Sequence, residues 1–289
     1  MRVLLRFRNG FPGLAEGFAA LGHEVLTSPD EPADLCIMDF VDAARRIGET
    51  RAQRRRGRLI LWSRDAPWHR GISRRRLLAM RLLRPFDGYA AHSMQNAERY
   101  ASRPLYCPNA ARESVYHVSP ARLAAMRDPA SYDWDVAFSG NLDVQRYPEH
   151  RARAEFLAAL KDRLRDLKVS FGAAENVELV RRSRINLSVM AACDAGAEKS
   201  WGLPERCYGV PAAGGFLLSD RRRHAAQDFR DDEWADFQDL EDCVRRIRHF
   251  LVHPHEARAI AERAHARVQR EHLYRHRAER LIDFAAHAR

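Results

Sequence analysis

The first 26 residues, MRVLLRFRNGFPGLAEGFAALGHEVL (residues 1–26), contain the pattern that decides the fold. A short apolar segment, VLLRF, is followed by RNGFPG, a composition that favours a turn. Leu14, Phe18 and Leu21 then recur at the spacing of one helix face. Gly22 is expected to end that helix before a second apolar segment begins. The stretch therefore predicts a strand, a loop, a helix and a strand.

The same alternation continues further along the chain. Short apolar segments occupy residues 35–38, 59–62 and 88–91, with helical or polar stretches between them. Strands that alternate with helices indicate a parallel sheet covered by helices on both faces.

A second alternation begins near residue 134, after the polar, proline-bearing stretch 119–134. The last third of the chain keeps a helical period. We therefore predict an α/β fold with two Rossmann-like, doubly wound domains, 1–118 and 130–270, facing a central cleft. The last segment, 271–289, is predicted as a helix that crosses back to the first domain. The strand candidates of the second domain are residues 135–138, 169–171, 185–189 and 216–219.

The composition suits a globular protein with anionic ligands. The chain has 289 residues, of which 46% are hydrophobic, and a formal net charge of +10. All but three of its 49 basic residues are arginine, a bias that codon usage can also produce. Positive charge favours phosphates, acidic glycans, nucleic acid or a membrane surface.

Five scattered cysteines, with no C-x-x-C pair, argue against a disulfide framework or a zinc site. No apolar segment approaches the ~18 residues of a membrane span. We expect a cytoplasmic protein, with the inner membrane face as an alternative peripheral location. Histidines at 272 and 276 have metal-ligand spacing, but exposed helix faces explain them better, so no metal site is predicted.

Two glycine-bearing segments are candidates for anion binding. Ser139-Gly140-Asn141 directly follows a predicted strand, where backbone N–H groups can approach a phosphate. An ordinary turn uses the same residues. The second segment, WGLPERCYGVPAAGGFLLSD (201–220), predicts a helix of small residues that ends at Gly214-Gly215 before a buried strand.

The second segment resembles the donor-binding segment of GT-B glycosyltransferases, and most closely their CgeB-like (spore maturation protein) branch. Three other segments resemble the same family in the same order. They are ALGHEV (20–25), CPNAA (107–111) and REHLYRHRAE (270–279).

The resemblance implies a hexosyltransferase-like enzyme that transfers a sugar, without a metal, from a nucleotide-sugar donor to an acceptor hydroxyl. The donor is then held by the C-terminal domain and the acceptor by the N-terminal one. No separate cofactor is implied, and the nucleotide stays open. Ser139-Gly140 and Gly214-Gly215 match the loops that approach the diphosphate. Arg206 matches the arginine that would neutralise the leaving diphosphate, and Lys199 is a second candidate.

Asn141 and Tyr208 complete the predicted donor site. Many relatives carry an acidic residue for the ribose hydroxyls where this chain has Gly209. Glu205, one helical turn earlier, is the candidate that would replace it.

An inverting transferase also needs a general base. Asp65 follows the predicted strand 59–62 in the sequence DAPWH, and CgeB-like relatives show a similar Asp-x-Pro. A proline turn is the alternative interpretation. The reserve candidates are Asp39, His69 and His92.

A basic segment runs from Arg51 to Arg84 and holds 12 arginines but only one acid. It predicts peripheral contact with an anionic membrane or with the phosphates of a glycan, lipid-linked or other anionic acceptor. A solvated surface is the alternative. Nucleic acid is disfavoured, because regularly interleaved aromatic residues are missing.

Two other functions stay open at this point. A nucleotide-sugar epimerase shares the architecture, and a non-catalytic protein could bind nucleic acid or membrane through its basic segment.

Overall fold

A computed structural model describes residues 1–8, 10–64, 72–95, 97–172, 176–189 and 201–288. The chain forms two compact units: Met1–Ala110 with Leu273–Arg289, and Ala111–His272. The domain boundaries predicted from the sequence lie at residues 118, 130 and 270. Residues 111–129 belong to the second unit because they pack against it, as Leu123 and Met126 do against Gly214.

The first unit is built on a six-stranded parallel sheet in the order β2-β1-β3-β4-β5-β6. The strands are β1 (Arg2–Arg6), β2 (Glu24–Leu26), β3 (Leu35–Asp39), β4 (Arg58–Ser63), β5 (Gly88–Ala91) and β6 (Leu105–Tyr106). The first four helices are α1 (Pro12–Ala20), α2 (Phe40–Arg45), α3 (Ile47–Arg56) and α4 (Arg74–Leu83). All five strands predicted in this half of the chain are confirmed, and β6 is an additional one.

The second unit contains a five-stranded parallel sheet in the order β11-β10-β9-β7-β8. Its strands are β7 (Trp134–Ser139), β8 (Val169–Gly172), β9 (Ser183–Ser188), β10 (Leu217–Asp220) and β11 (Ala235–Phe237). Its helices are α5 (Glu113–Tyr116), α6 (Pro120–Ala125), α7 (Arg151–Arg163), α8 (Val177–Arg181), α9 (Arg206–Ala212), α10 (Ala225–Asp228), α11 (Leu240–Val252) and α12 (Pro254–Glu271). The four predicted strands are confirmed, and β11 was missed.

The strands are apolar because helices cover both faces of each sheet. In β4, residues 59–62 are fully buried. In the second unit, β7 and β9 contribute to one core with α7 and α11. Most of the predicted strands are therefore continuous apolar segments. Segments 169–171 and 185–189 differ, because they alternate apolar residues with the polar Ser170, Asn186 and Ser188.

The final helix, α13 (Tyr274–His287), packs on α1 within the first unit. Small residues allow this close approach, since a Cβ added to Gly17 would lie 2.5 Å from the Tyr274 carbonyl oxygen. The buried Arg277 donates from Nε to the Pro108 carbonyl at 2.9 Å and from Nη2 to the Asn109 carbonyl at 3.0 Å. These bonds hold α13 against the end of the first sheet.

Each sheet contains one point where the strand order reverses. In the first sheet it lies between β1 and β3, and in the second between β7 and β9. Ligands of open α/β sheets bind outside the carboxyl ends of strands at such a switch point. The topology therefore selects the loop after β7 as the first place to search for a site in the second unit.

Candidate functional site

Arg206, the first residue of α9, lies against the loop after β7. Its Nη1 donates to the Ser139 carbonyl at 3.2 Å, and its guanidinium lies 4.7 Å from the centre of the Phe138 ring. A Cβ added to Gly140 would fall 2.7 Å from Arg206 Nη1. The absence of a side chain at Gly140 thus makes room for the guanidinium. Three predicted site residues, Ser139, Gly140 and Arg206, are brought together here.

A pocket opens beside this arginine, between α8, α9 and the ends of β7 and β9. Ser139, Asn176, Asn186, Arg206 and Tyr116 contribute to its lining. Ser139 Oγ accepts from the Asn176 N–H at 2.8 Å, and Asn186 Nδ2 donates to the Val180 carbonyl at 3.1 Å. Arg206 is the one positively charged side chain that lines this pocket among the described residues.

Two buried arginines that the sequence analysis missed support the site. Arg222 forms a bidentate pair with Asp220, with Nη2 2.8 Å from Oδ1 and 2.9 Å from Oδ2. Its Nη1 also donates to the Gly202 carbonyl at 2.8 Å, which fixes the segment that leads into α9. Arg153 donates to the carbonyls of Val189 at 3.0 Å and Asn141 at 2.9 Å. It therefore ties together the loops that follow β7 and β9.

The glycine loops do not present amides in the way the sequence predicted. The Gly140 N–H donates to the Gly172 carbonyl at 3.2 Å. At the end of α9, the N–H groups of Gly214 and Gly215 donate to the carbonyls of Pro211 and Val210, each at 2.9 Å. Gly214 has a φ of +82° and closes the helix, which is the usual role of glycine after a C-terminus. All three amides are therefore occupied by hydrogen bonds within the chain.

Tyr208 is not a pocket residue, which corrects its predicted role in donor binding. Its side chain is fully buried, and its hydroxyl donates to Asp228 Oδ2 at 2.7 Å. Cys207, beside Arg206, is also buried, and burial raises the pKa of its thiol to about 11. The thiol is therefore protonated at neutral pH and is a poor nucleophile.

The structure explains why residue 209 is a glycine. A Cβ at Gly209 would lie 2.4 Å from Tyr116 Cζ, so the Tyr116 ring fills the space that a side chain would need. An acidic residue cannot occupy this position without moving Tyr116.

Glu205 precedes α9, and its carbonyl accepts from the Gly209 N–H at 2.8 Å. Asn141 forms a local turn, in which its Oδ1 accepts from the Asp143 N–H at 2.8 Å.

The predicted residues Asp65, His69 and Lys199 lie outside the described part of the chain. Among the reserve candidates, Asp39 ends β3 at the switch point of the first sheet and caps α2. Its Oδ1 accepts from the Val41 N–H at 2.8 Å and from the Asp42 N–H at 3.1 Å. Desolvation by burial nevertheless raises its pKa, and the Arg64 guanidinium partly opposes that effect.

His92, the remaining reserve candidate, is buried. Its Nδ1 lies 3.4 Å from the Ser63 carbonyl at the end of β4.

His272 and His276, the pair with metal-ligand spacing, form hydrogen bonds within the fold. His272 is buried, with Nε2 2.9 Å from the Asp228 carbonyl, which corrects the prediction that it lies on an exposed face. His276 Nδ1 accepts from the Leu273 N–H at the start of α13. Over the described ranges, no three His, Cys, Asp or Glu side chains are arranged to hold a metal ion.

Solved glycosyltransferases share this fold. Sucrose-phosphate synthase from Thermosynechococcus elongatus has a TM-score of 0.67 at 12% identity, covering 99% of this chain and 98% of that one. HepE from Anabaena, solved with UDP and glucose, has a TM-score of 0.67 at 13% identity, covering 99% and 100%. A glycosyltransferase from Rickettsia africae has a TM-score of 0.65 at 10% identity, covering 99% and 98%. The two parallel sheets thus match GT-B glycosyltransferase structures, and the predicted fold class is confirmed.

The sequence gives the family directly. The profile of the family described as Glycosyl transferase-like matches residues 122–283, and the chain belongs to that family. This membership makes the protein an enzyme of the glycosyltransferase class. No curated protein matches the sequence. The CgeB-like branch stays a prediction.

Proposed function

We propose that the protein transfers a hexose from a nucleoside-diphosphate sugar to an acceptor hydroxyl without a metal ion. The observation that supports this most is the position of Arg206 against Ser139 and Gly140 at the switch point of the second sheet. In the related fold of HepE, structures were solved with UDP and with UDP-glucose. We assign a nucleotide-sugar donor to the second unit of this chain, beside Arg206.

In the proposed reaction, the acceptor oxygen forms a bond to the anomeric carbon while the bond from that carbon to the diphosphate oxygen breaks. The diphosphate leaves with the bonding electron pair, and the acceptor proton passes to a base. Arg206 would stabilise the negative charge of the departing diphosphate, the task that a metal performs in other transferases. Its guanidinium is held by a carbonyl and an aromatic ring, so it would need little rearrangement to do so.

The base is assigned to Asp65, with Asp39 as the reserve. Desolvation by burial raises the pKa of Asp39, the direction that makes a carboxylate a better proton acceptor. Its carboxylate also caps α2, which holds it in one orientation at the end of β3.

The donor assignment is tested by incubating the protein with a panel of nucleotide sugars and measuring binding and product. The Arg206→Ala variant should lose turnover by about 10²-fold or more while it stays folded. The matched control is Arg165→Ala, since Arg165 is an exposed arginine of the same unit. Equal activity of the wild type and Arg206→Ala would remove the leaving-group assignment.

The same assay separates the epimerase alternative. An epimerase releases an epimer or free sugar with no acceptor present, whereas a transferase needs the acceptor for turnover. Product analysis without acceptor therefore distinguishes the two reactions on one protein sample.

A second proposal concerns helix α4 and an anionic membrane surface. Leu78, Leu82 and Leu83 are 53%, 71% and 44% exposed, and exposed arginines surround them on the same helix. An apolar strip beside arginines suits the interface of an anionic bilayer, where each arginine contributes about 1 kcal/mol. None of the described helices is long and apolar enough to cross a membrane, so any contact of these helices would be peripheral.

A further inference from the structure

The first sheet has a pocket at its own switch point. It is an open cavity of about 560 Å³ at the carboxyl ends of β1 and β3. Arg6 and Arg8 line it from the β1 side, and Arg45 and Arg46 line it from the end of α2. Asp42 is the one acid in this lining among the described residues. Four arginines thus line the place where the topology predicts a ligand.

The positive charge is only partly neutralised by neighbouring carboxylates. Glu49 pairs with both Arg6 at 3.3 Å and Arg46 at 3.5 Å, so one carboxylate serves two arginines. Among the described residues, the lining itself holds four arginines and one carboxylate, that of Asp42. Arg8 is exposed and has no ion-pair partner among the described residues. The exposed Arg8 guanidinium can therefore meet a phosphate or carboxylate group that enters the pocket.

We propose that this pocket binds the anionic group, a phosphate or a carboxylate, of the sugar acceptor. The inference rests on the proposed function, because it places the acceptor in the unit that does not hold the donor. Guanidinium groups suit this task, since their planar fork meets carboxylate and phosphate oxygens in pairs. This pocket is concave and lined by arginines, whereas the surface of α4 presents exposed leucines.

The test titrates the full-length protein with glucose 6-phosphate, glucuronate and glucose, and measures the dissociation constants by calorimetry. The two charged sugars distinguish phosphate from carboxylate, and glucose reports binding without charge. In the variant Arg8→Gln/Arg45→Gln, we expect the dissociation constant of the preferred charged sugar to rise at least tenfold. The control Arg75→Gln/Arg76→Gln removes the same charge from α4 and should bind like the wild type.

Three results would overturn the inference: equal binding by the pocket variant and the wild type, equal binding of glucose, or no saturable binding of either charged sugar. Nucleoside-diphosphate binding is measured on the same samples. It should be unchanged in Arg8→Gln/Arg45→Gln and at least tenfold weaker in Arg206→Ala. If the pocket variant loses binding of the charged sugar while the wild type binds no nucleotide, the proposed function is refuted but the anion pocket is supported.

Discussion

Substitution of Gly140 by Ala should impair catalysis by displacing Arg206. The added methyl would lie 2.7 Å from Arg206 Nη1, about 0.7 Å closer than the 3.4 Å at which ordinary contact begins. The guanidinium must therefore move by roughly that distance. A misplacement of about 1 Å in a catalytic group can cost about 10²-fold in rate. We expect kcat/KM of Gly140→Ala to fall by about 10-fold to 10²-fold.

The fold should tolerate this change. Gly140 does not have φ in the left-handed region, and the atoms that must give way are the flexible end of a side chain. The expected loss is the contact of Arg206 with the Phe138 ring, about 0.5–1 kcal/mol of unfolding free energy. Gly48→Ala is the matched control, because a methyl there would meet nothing within 4 Å.

The assay is a double-mutant cycle on steady-state transfer from a nucleotide-sugar donor. If Gly140→Ala acts through Arg206, it should have no further effect in an Arg206→Ala background. Chemical denaturation of the same four proteins reports their stability. Additive losses in kcat/KM, or full activity of Gly140→Ala, would refute the role assigned to this glycine and arginine.

Three other changes test separate parts of the structure. Asp39→Asn should keep the cap of α2. Because the pKa of Asp39 is raised in the folded protein, the stabilising contribution of this carboxyl declines as pH rises from about 3.8 through the raised value. The variant should therefore gain stability relative to the wild type between about pH 3.5 and 7, and urea titrations that show a constant difference would contradict this. Gly17→Ala should lower the unfolding free energy by about 1–3 kcal/mol, since its methyl would meet the Tyr274 backbone at 2.5 Å, and an unchanged denaturation midpoint would show that α13 can yield. Leu78→Ser/Leu82→Ser should reduce cosedimentation of the protein with anionic vesicles but not its cosedimentation with neutral vesicles. Equal binding of anionic vesicles by the variant and the wild type would show that α4 is a solvated surface.

Much of the fold was predictable because strands buried on both faces are continuous apolar segments. The segment 59–62 shows this plainly, since all its residues are buried in β4. The strands that were missed lack that signal. β6 has only two residues, both half-buried, and β11 is interrupted by the half-buried Asp236.

The site was predictable only in part. Arg206 was found through its resemblance to a family segment, and the structure places it beside Ser139 and Gly140. The buried arginines 153 and 222 were missed, because an arginine held by distant carbonyls has no local sequence signature. The contact of Tyr116 with Gly209 was missed for the same reason, since 93 residues separate the two in sequence.

The most direct test of the central claim is calorimetric binding of UDP, GDP, ADP, dTDP and CMP to the wild type and to Arg206→Ala. We expect the wild type to bind at least one of these nucleotides saturably, and Arg206→Ala to bind it at least tenfold more weakly. Equal affinity of the two proteins would contradict the assignment of Arg206 to the diphosphate. Failure of the wild type to bind any of them would contradict the donor site itself.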